Sequence, residues 1–399
     1  MEGHGKLSFM ARQGAPLLSL APQNATPVQE FILKVASRCN LDCAYCYEYR
    51  HGDESWRLAS KFMRPFVYEA VARKIAEHID QHQLKEVSVA LHGGEPLLLG
   101  PRRLDRLAGT LGEIIGPTGA ELTLTMQTNA TLITDEIADV IRTRCIRVGV
   151  SLDGGRKEND RYRLDHGGAS SFDRVMAGIK TLRAITPGEP AGILAVIDIE
   201  NDPIETFDAL ASLEIINVDL LLPHYNWDRR PPVPPTSRMP AYGQWLSTIW
   251  DAWVGGRHSH LRIRFLDNIV ARLVGHPGLY EQMSESPVAL ITINSDGAIE
   301  GVDTLKSTGT GVQKTGLNVL DHSIDDVLVH PLYLARQDWK ASLPDACEGC
   351  SIKRICAGGY LPHRYRSGTG FNNTSVYCED LFHLVTKIDR DIRVRAGMG

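Results

Sequence analysis

The chain has no run of eighteen apolar residues, so no segment reads as a membrane-crossing helix. Its start, MEGHGKLSFMARQGAPLLSLAPQ, has no long apolar core followed by a clear processing site, and the chain is expected to be soluble and cytoplasmic. A dominant charge of one sign is missing as well. With 43 Lys and Arg against 48 Asp and Glu, the net charge of -5 argues against a nucleic-acid surface. Cysteine is sparse: 8 in 399 residues are too few for a disulfide scaffold. Seven of them fall in two clusters, which favours metal ligation in a reducing compartment. Matches to the glycosylation pattern such as Asn129-Ala-Thr carry no weight there. At 43% hydrophobic and 23% charged, the chain can build one large core and a smaller module.

The rest is arranged around FILKVASRCNLDCAYCYEY, residues 31–49. The apolar run Phe31 to Val35 reads as a buried strand. It leads into a loop holding Cys39, Cys43 and Cys46, spaced C-x3-C-x2-C. Three thiolates on one compact loop can hold three irons of a [4Fe-4S] cube and leave the fourth iron open for chemistry. Tyr45 would place an aromatic ring beside whatever binds there. A partial zinc site and three unrelated thiols are the alternatives, although zinc usually takes a fourth ligand and C-x2-C pairs.

Helical and strand-like stretches then alternate. Arg64 to Gln81 has helical periodicity, and Glu86 to Leu91 reads as a buried strand running into HGGEPLL. Gly93 and Gly94 let backbone approach a ligand, and Glu95 can accept hydrogen bonds from an ammonium; a simple turn after a strand is the alternative. Further strands are expected at 121–125, 146–151, 192–197 and 218–223, with helices at 102–111, 135–142, 171–185 and 203–213. Repeated βα units argue for a mostly parallel sheet clothed in helices, and periodicity alone does not distinguish an open sheet from a barrel. Ligands in such folds bind beyond the carboxyl ends of the strands. There stand Gln127 and Asn129, Ser151 and Asp153, Asp198 and Glu200, and His224, Tyr225 and Asn226. Ser151 and Asp153 could equally cap a turn. Arg161 and Arg163 are placed for a carboxylate, or for a surface ion pair, and Cys145 is expected to be a buried thiol.

The proline-rich segment 228–240 marks the end of this unit. A helix follows with Trp245, Ile249 and Trp253 on one face, a stripe that could hold a peptide but is expected to pack on the preceding βα unit, and a further helix is expected at 264–273. Residues 289–303 read as a hairpin about an Asp-Gly turn, followed by Asp303, which by itself could be only a turn residue. Cys347, Cys350 and Cys356 follow with spacing C-x2-C-x5-C, then Cys378 at the head of a helix expected over 379–388. Four such thiolates permit a structural zinc site or an iron-sulfur cluster.

Together the two cysteine clusters, GGEP and the C-terminal run GGYLPHRY resemble radical S-adenosylmethionine (SAM)/SPASM peptide maturases, most of all the Fxs-type, cyclophane-forming branch, over roughly 31–384. The resemblance implies an incomplete (β/α)6 barrel with a C-terminal SPASM-like module, in an α/β fold. The expected divisions are an arm at 1–29, the barrel at 30–227, connector and bridging helices at 228–288 and the auxiliary-cluster domain at 289–399. It implies two [4Fe-4S] clusters, one binding SAM through Cys39, Cys43 and Cys46, the other held by Cys347, Cys350, Cys356 and Cys378. Val302 and Tyr360 stand where the family's first auxiliary cluster takes cysteines, so that cluster is expected to be lost whole. Gly93, Gly94 and Glu95 match residues that grip SAM's amino group, and Ser151 and Asp153 match contacts to its ribose and carboxylate. Tyr45, Gln127, Asn129 and Arg163 complete the expected SAM site, and Asp303 matches the base of sulfatase-maturing enzymes. The implied partners are a ribosomally made precursor peptide and a reductase or flavodoxin- or ferredoxin-type electron donor. Residues 1–29 are expected to be too short for a separate winged-helix leader-binding domain. Leader recognition then falls to the barrel rim, the arm, the SPASM module or a separate protein. The implied reaction joins Cβ of one residue to an aromatic ring two places earlier. Formylglycine formation, epimerisation, thioether formation and a non-catalytic metal-stapled scaffold are the other readings.

Overall fold

A computed structural model describes residues 25–185, 192–233, 240–278 and 280–397. Most of the expected N-terminal arm, 1–24, and the middle of the proline-rich connector, 234–239, lie outside the described residues. The expected strands form as β1 (Glu30–Ala36), β2 (Glu86–Gly93), β3 (Glu121–Thr128), β4 (Arg147–Ser151), β5 (Gly192–Val196) and β6 (Asn217–Leu221). Between them run α1 (Pro65–His82), α2 (Pro101–Ile115), α3 (Asp135–Thr143), α4 (Phe172–Ile185) and α5 (Pro203–Ala211). Local chemistry sets their ends. Pro65 occupies the first turn of α1, and Gln83 closes it in the left-handed region at φ 52°. Asp202 caps α5 by accepting from the Ile204 and Glu205 amides at 2.8 and 2.9 Å.

Neighbouring strands from β1 to β6 pair in parallel and in chain order. Their side chains on the face covered by the helices, Phe31, Leu33, Val89, Leu91 and Val150 among them, are fully buried. The sheet then grows at both edges. The two-residue β7 (Arg262–Ile263) extends it beyond β6, between α6 (Ala241–Val254) and α7 (Arg264–Leu273). At the other side β8 (Leu290–Ile293) pairs in parallel with β1, placing Ile291 against Phe31 and Ile293 against Leu33. β9 (Ala298–Glu300) and β10 (Lys314–Asn318) continue antiparallel. Among the described strands β7 and β10 are the edges, so the sheet is open. The C-terminal hairpin is thus continuous with the barrel sheet.

The aromatic stripe on α6 packs inward: Trp245 donates to the Asn201 carbonyl at 2.9 Å and Trp253 to that of Leu261 at 3.1 Å. The last helix, α8 (Cys378–Arg395), lies against α6, with the Gly243 amide donating to Asp380 at 2.9 Å. It runs seven residues past the expected end at Ile388 because Lys387–Asp391 and Asp389–Arg393 pairs support a polar last turn. Cys145 corrects another expectation. It is exposed, not buried, in a left-handed turn at φ 52°, and burial begins one residue later at Ile146. Among the described residues no helix is long and apolar enough to cross a membrane.

Candidate active site

The cysteine loop leaves the carboxyl end of β1 and is pinned by the end of β2. The Gly94 amide donates to the Ala36 carbonyl at 2.8 Å, and the Glu95 amide to that of Arg38 at 3.0 Å. A Cβ on Gly93, at φ 143°, would overlap the Ala36 carbonyl, and one on Gly94 the Arg38 carbonyl and the Tyr49 hydroxyl. Both glycines are therefore required by backbone packed against backbone. Cys39 Sγ receives the Leu41 amide at 3.4 Å and Asn129 Nδ2 at 3.8 Å. Burial pushes the Cys39 and Cys46 thiols up to about 12, so metal binding there displaces a proton from each.

These cysteines open onto one cavity at the carboxyl ends of the strands. Its lining also takes Gly93 and Gly94, Gln127 and Asn129, Ser151, Val196 and His224, one set from each of β2 to β6. The sheet therefore curves around it. Gln127 Nε2 donates to Ser151 Oγ at 2.8 Å, and its side chain has room because Gly149 carries no Cβ. Tyr45 lines the wall and is fixed from behind: its hydroxyl donates to Asp153 at 2.5 Å and accepts from Arg163 at 2.8 Å. Glu95 is wholly buried, accepting from the Leu97 and Asn129 amides at 2.9 and 2.8 Å and from Thr128 Oγ1 at 2.7 Å.

The Glu95 and Asp153 carboxylates are buried beside the lining, Glu95 on the Asn129 amide and Asp153 on the Tyr45 hydroxyl. Burial raises both carboxyl groups, and neighbouring donors oppose the shift. Arg161 is committed to an exposed pair with Asp198 and Glu200, whereas Arg163 faces the cavity.

Cys347, Cys350, Cys356 and Cys378 are brought together from two turns and the start of α8, close enough for each of the others to act electrostatically on Cys356.

The radical SAM superfamily model matches residues 33–211. The chain has the radical SAM α/β fold. A cysteine-type anaerobic sulfatase-maturating enzyme of Clostridium novyi (strain NT) is 24% identical over 365 residues, covering 87% of this chain and 91% of its own. The solved structure of native anSMEcpe with bound AdoMet and Cp18Cys peptide aligns with a TM-score of 0.76 at 18% identity, covering 92% of this chain and all of that one. Streptococcus suis SuiB bound to precursor peptide SuiA aligns at 0.58 and 17%, covering 89% of this chain and 76% of its own. The structural likenesses show the fold. A radical SAM domain implies SAM and a [4Fe-4S] cluster, and Cys39, Cys43 and Cys46, which line the cavity, are residues that could hold the cluster.

Beside that cavity lies a buried charge cluster, joining the first strand and the cysteine loop to the segment after β9, that sequence reasoning missed. Lys34, within β1, lies 2.5 Å from Asp303 and 3.2 Å from Glu48; Lys306 lies 2.6 Å from Glu48. All four side chains are buried. Burial alone would raise the Asp303 carboxyl, but the Lys34 ammonium outweighs it and holds the group well below the usual carboxylate range. The Tyr47 hydroxyl, which belongs to the lining, donates to Asp303 at 2.6 Å. Asp303 itself sits behind Tyr47, one bond away from the cavity.

Proposed function

We propose that the chain is a radical SAM maturase of a ribosomally made precursor peptide, closing an aromatic-ring-to-Cβ crosslink that forms a three-residue cyclophane. In this reading Cys39, Cys43 and Cys46 hold the SAM-binding [4Fe-4S] cluster, and Cys347, Cys350, Cys356 and Cys378 hold an auxiliary one. When bound, these groups supply a 5′-deoxyadenosyl radical that takes the Cβ hydrogen and an acceptor for one electron. The backbone at Gly93 and Gly94 receives the methionine part of SAM. Gln127, Asn129, Ser151 and Arg163 offer hydrogen bonds to its polar groups, and Asp153 holds Tyr45 in place. Ring attack and restored aromaticity release one proton and one electron. The proton leaves through the Tyr47 hydroxyl towards Asp303, which that hydroxyl reaches at 2.6 Å.

The observation that carries this choice among radical peptide modifications is the filling of the two positions that lack cysteine. Val302 packs into an apolar cluster with Leu305 and Leu332, and the Tyr360 hydroxyl bonds to Thr304 at 2.5 Å. Those positions are built as packed core while the four remaining cysteines stay together, which supports one auxiliary cluster in place of two. Formylglycine formation is the second reading, favoured by the sulfatase-maturating relative and by Asp303. The test is anoxic turnover with candidate precursor peptides, sought among short reading frames beside the gene, followed by tandem mass spectrometry. A loss of two hydrogens confined to a fragment that no longer breaks between the joined residues is expected. A hydrazide-reactive aldehyde on a single Cys or Ser residue would establish the second reading in its place.

A further inference from the structure

We propose that His78, His82 and Asp325 form a site for one divalent transition-metal ion, Zn²⁺ by its donor types. His78 and His82 stand four residues apart at the end of α1, so both rings leave one face of the helix. Asp325 reaches them from the helical turn Asp325–Leu328, beyond β10. His78 Nδ1 meets Asp325 Oδ1, and His82 Nε2 lies 3.0 and 3.1 Å from the two carboxylate oxygens. Among the described residues this is the group in which three His, Cys, Asp or Glu donors lie within 4.8 Å of one another. Two imidazoles and a carboxylate, with one position left for water, are an established zinc donor set. The side chains of His82 and Asp325 are 23% and 21% exposed, which leaves solvent a way in.

The second nitrogen of His78 adds an independent observation. Nε2 is buried and makes no completed hydrogen bond, and the backbone of Val28 is the group beside the ring. A neutral imidazole has one N–H. If it points to Asp325, Nε2 turns a lone pair on a carbonyl; if it points to Val28, Nδ1 turns a lone pair on a carboxylate. A metal ion at Nδ1 satisfies both nitrogens, leaving Nε2–H for the carbonyl, the usual outer partner of a metal-bound histidine. Zn–N and Zn–O bonds near 2.0–2.1 Å space tetrahedral donors by about 3.3 Å, so donors that already lie within 4.8 Å of one another need changes in separation of about 1.5 Å or less.

The site lies away from the radical chemistry. α1 ends just before β2 begins at Glu86, which puts the three donors at the amino ends of the strands, opposite the cysteine cavity. The ion would tie a barrel helix to the C-terminal segment, closing a loop of 243 residues between His82 and Asp325.

The test uses the full-length, iron-loaded chain, purified without oxygen, supplied with one equivalent of Zn²⁺ and desalted. Zinc K-edge X-ray absorption reads zinc separately from iron. One zinc per chain with an N/O shell near 2.0–2.1 Å is expected. His82→Ala and Asp325→Asn should each weaken zinc binding at least tenfold while iron content and circular dichroism stay at wild-type values. Asp325→Asn keeps the side-chain shape, so a folding defect in His82→Ala alone does not decide the matter. No retained zinc, a sulfur shell near 2.3 Å, or zinc binding unchanged in both variants would overturn the proposal. The histidines would then be hydrogen-bonding partners of Asp325 only.

Discussion

Lys34 Nζ lies 2.5 Å from Asp303 Oδ2, an ion pair sealed between the first barrel strand and the segment that follows β9. It joins residues 269 positions apart and, with Tyr47, sets the position of one wall of the cavity. Breaking one side of a buried pair leaves the other charge uncompensated, at a cost of about 3–5 kcal/mol. Lys34→Met should therefore destabilise the chain by roughly that amount, and Asp303→Asn by less, since the amide still accepts from Tyr47 and Lys34. The check is the denaturant midpoint of each anoxic variant; equal, sub-kilocalorie effects would remove the pair from this account.

Gly94 tests how the cysteine loop is held. A methyl group there meets the Arg38 carbonyl, which is backbone and has no freedom to turn aside. Gly94→Ala should displace the loop and lose about four irons per chain, while the C-terminal cysteines keep theirs. Iron content set beside circular dichroism separates this from global unfolding.

Two cavity histidines set an acid limit. Burial pushes His92 and His224 down to about 4, with the Lys34 ammonium adding to the effect at His92. In the unfolded chain imidazole titrates near 6.5, so between these values the unfolded state binds more protons. The stabilising effect of a neutral ring is complete above about pH 6.5 and is lost as pH falls towards 4, up to about 3 kcal/mol for each ring. His224→Gln should lower the dependence of stability on pH across pH 7 to 5. Parallel dependences in variant and wild type would contradict the assignment.

The six βα units were legible because buried parallel strands and amphipathic helices differ in period, and the cysteine spacings stood out against a cysteine-poor chain. Sheet growth past β1 was not legible. β8 is a four-residue strand, LITI, and no local signal names a partner some 260 residues earlier. β10, KTGLN, carries Gly316 and no clear alternation. Lys34 was hidden inside FILKV, where one lysine reads as an interruption of an apolar run; only the later carboxylates give it a reason to be buried. Glu95 and Asp153 were legible as strand-end carboxylates, but the Asn129 amide and Tyr45 hydroxyl that hold them were not, since such a carboxylate has the same sequence signature whichever donor it meets. The His78–His82 spacing was visible, and its third member, Asp325, became a neighbour only through the fold.

The most direct measurement is iron and sulfide content with electron paramagnetic resonance, on the anoxic chain and on Cys39→Ala/Cys43→Ala/Cys46→Ala. About eight irons per chain are expected, falling to about four in the triple variant, with the remaining signal indifferent to added SAM. About four irons in the wild type, with zinc at Cys347, Cys350, Cys356 and Cys378, would contradict it and leave the crosslink without its electron acceptor.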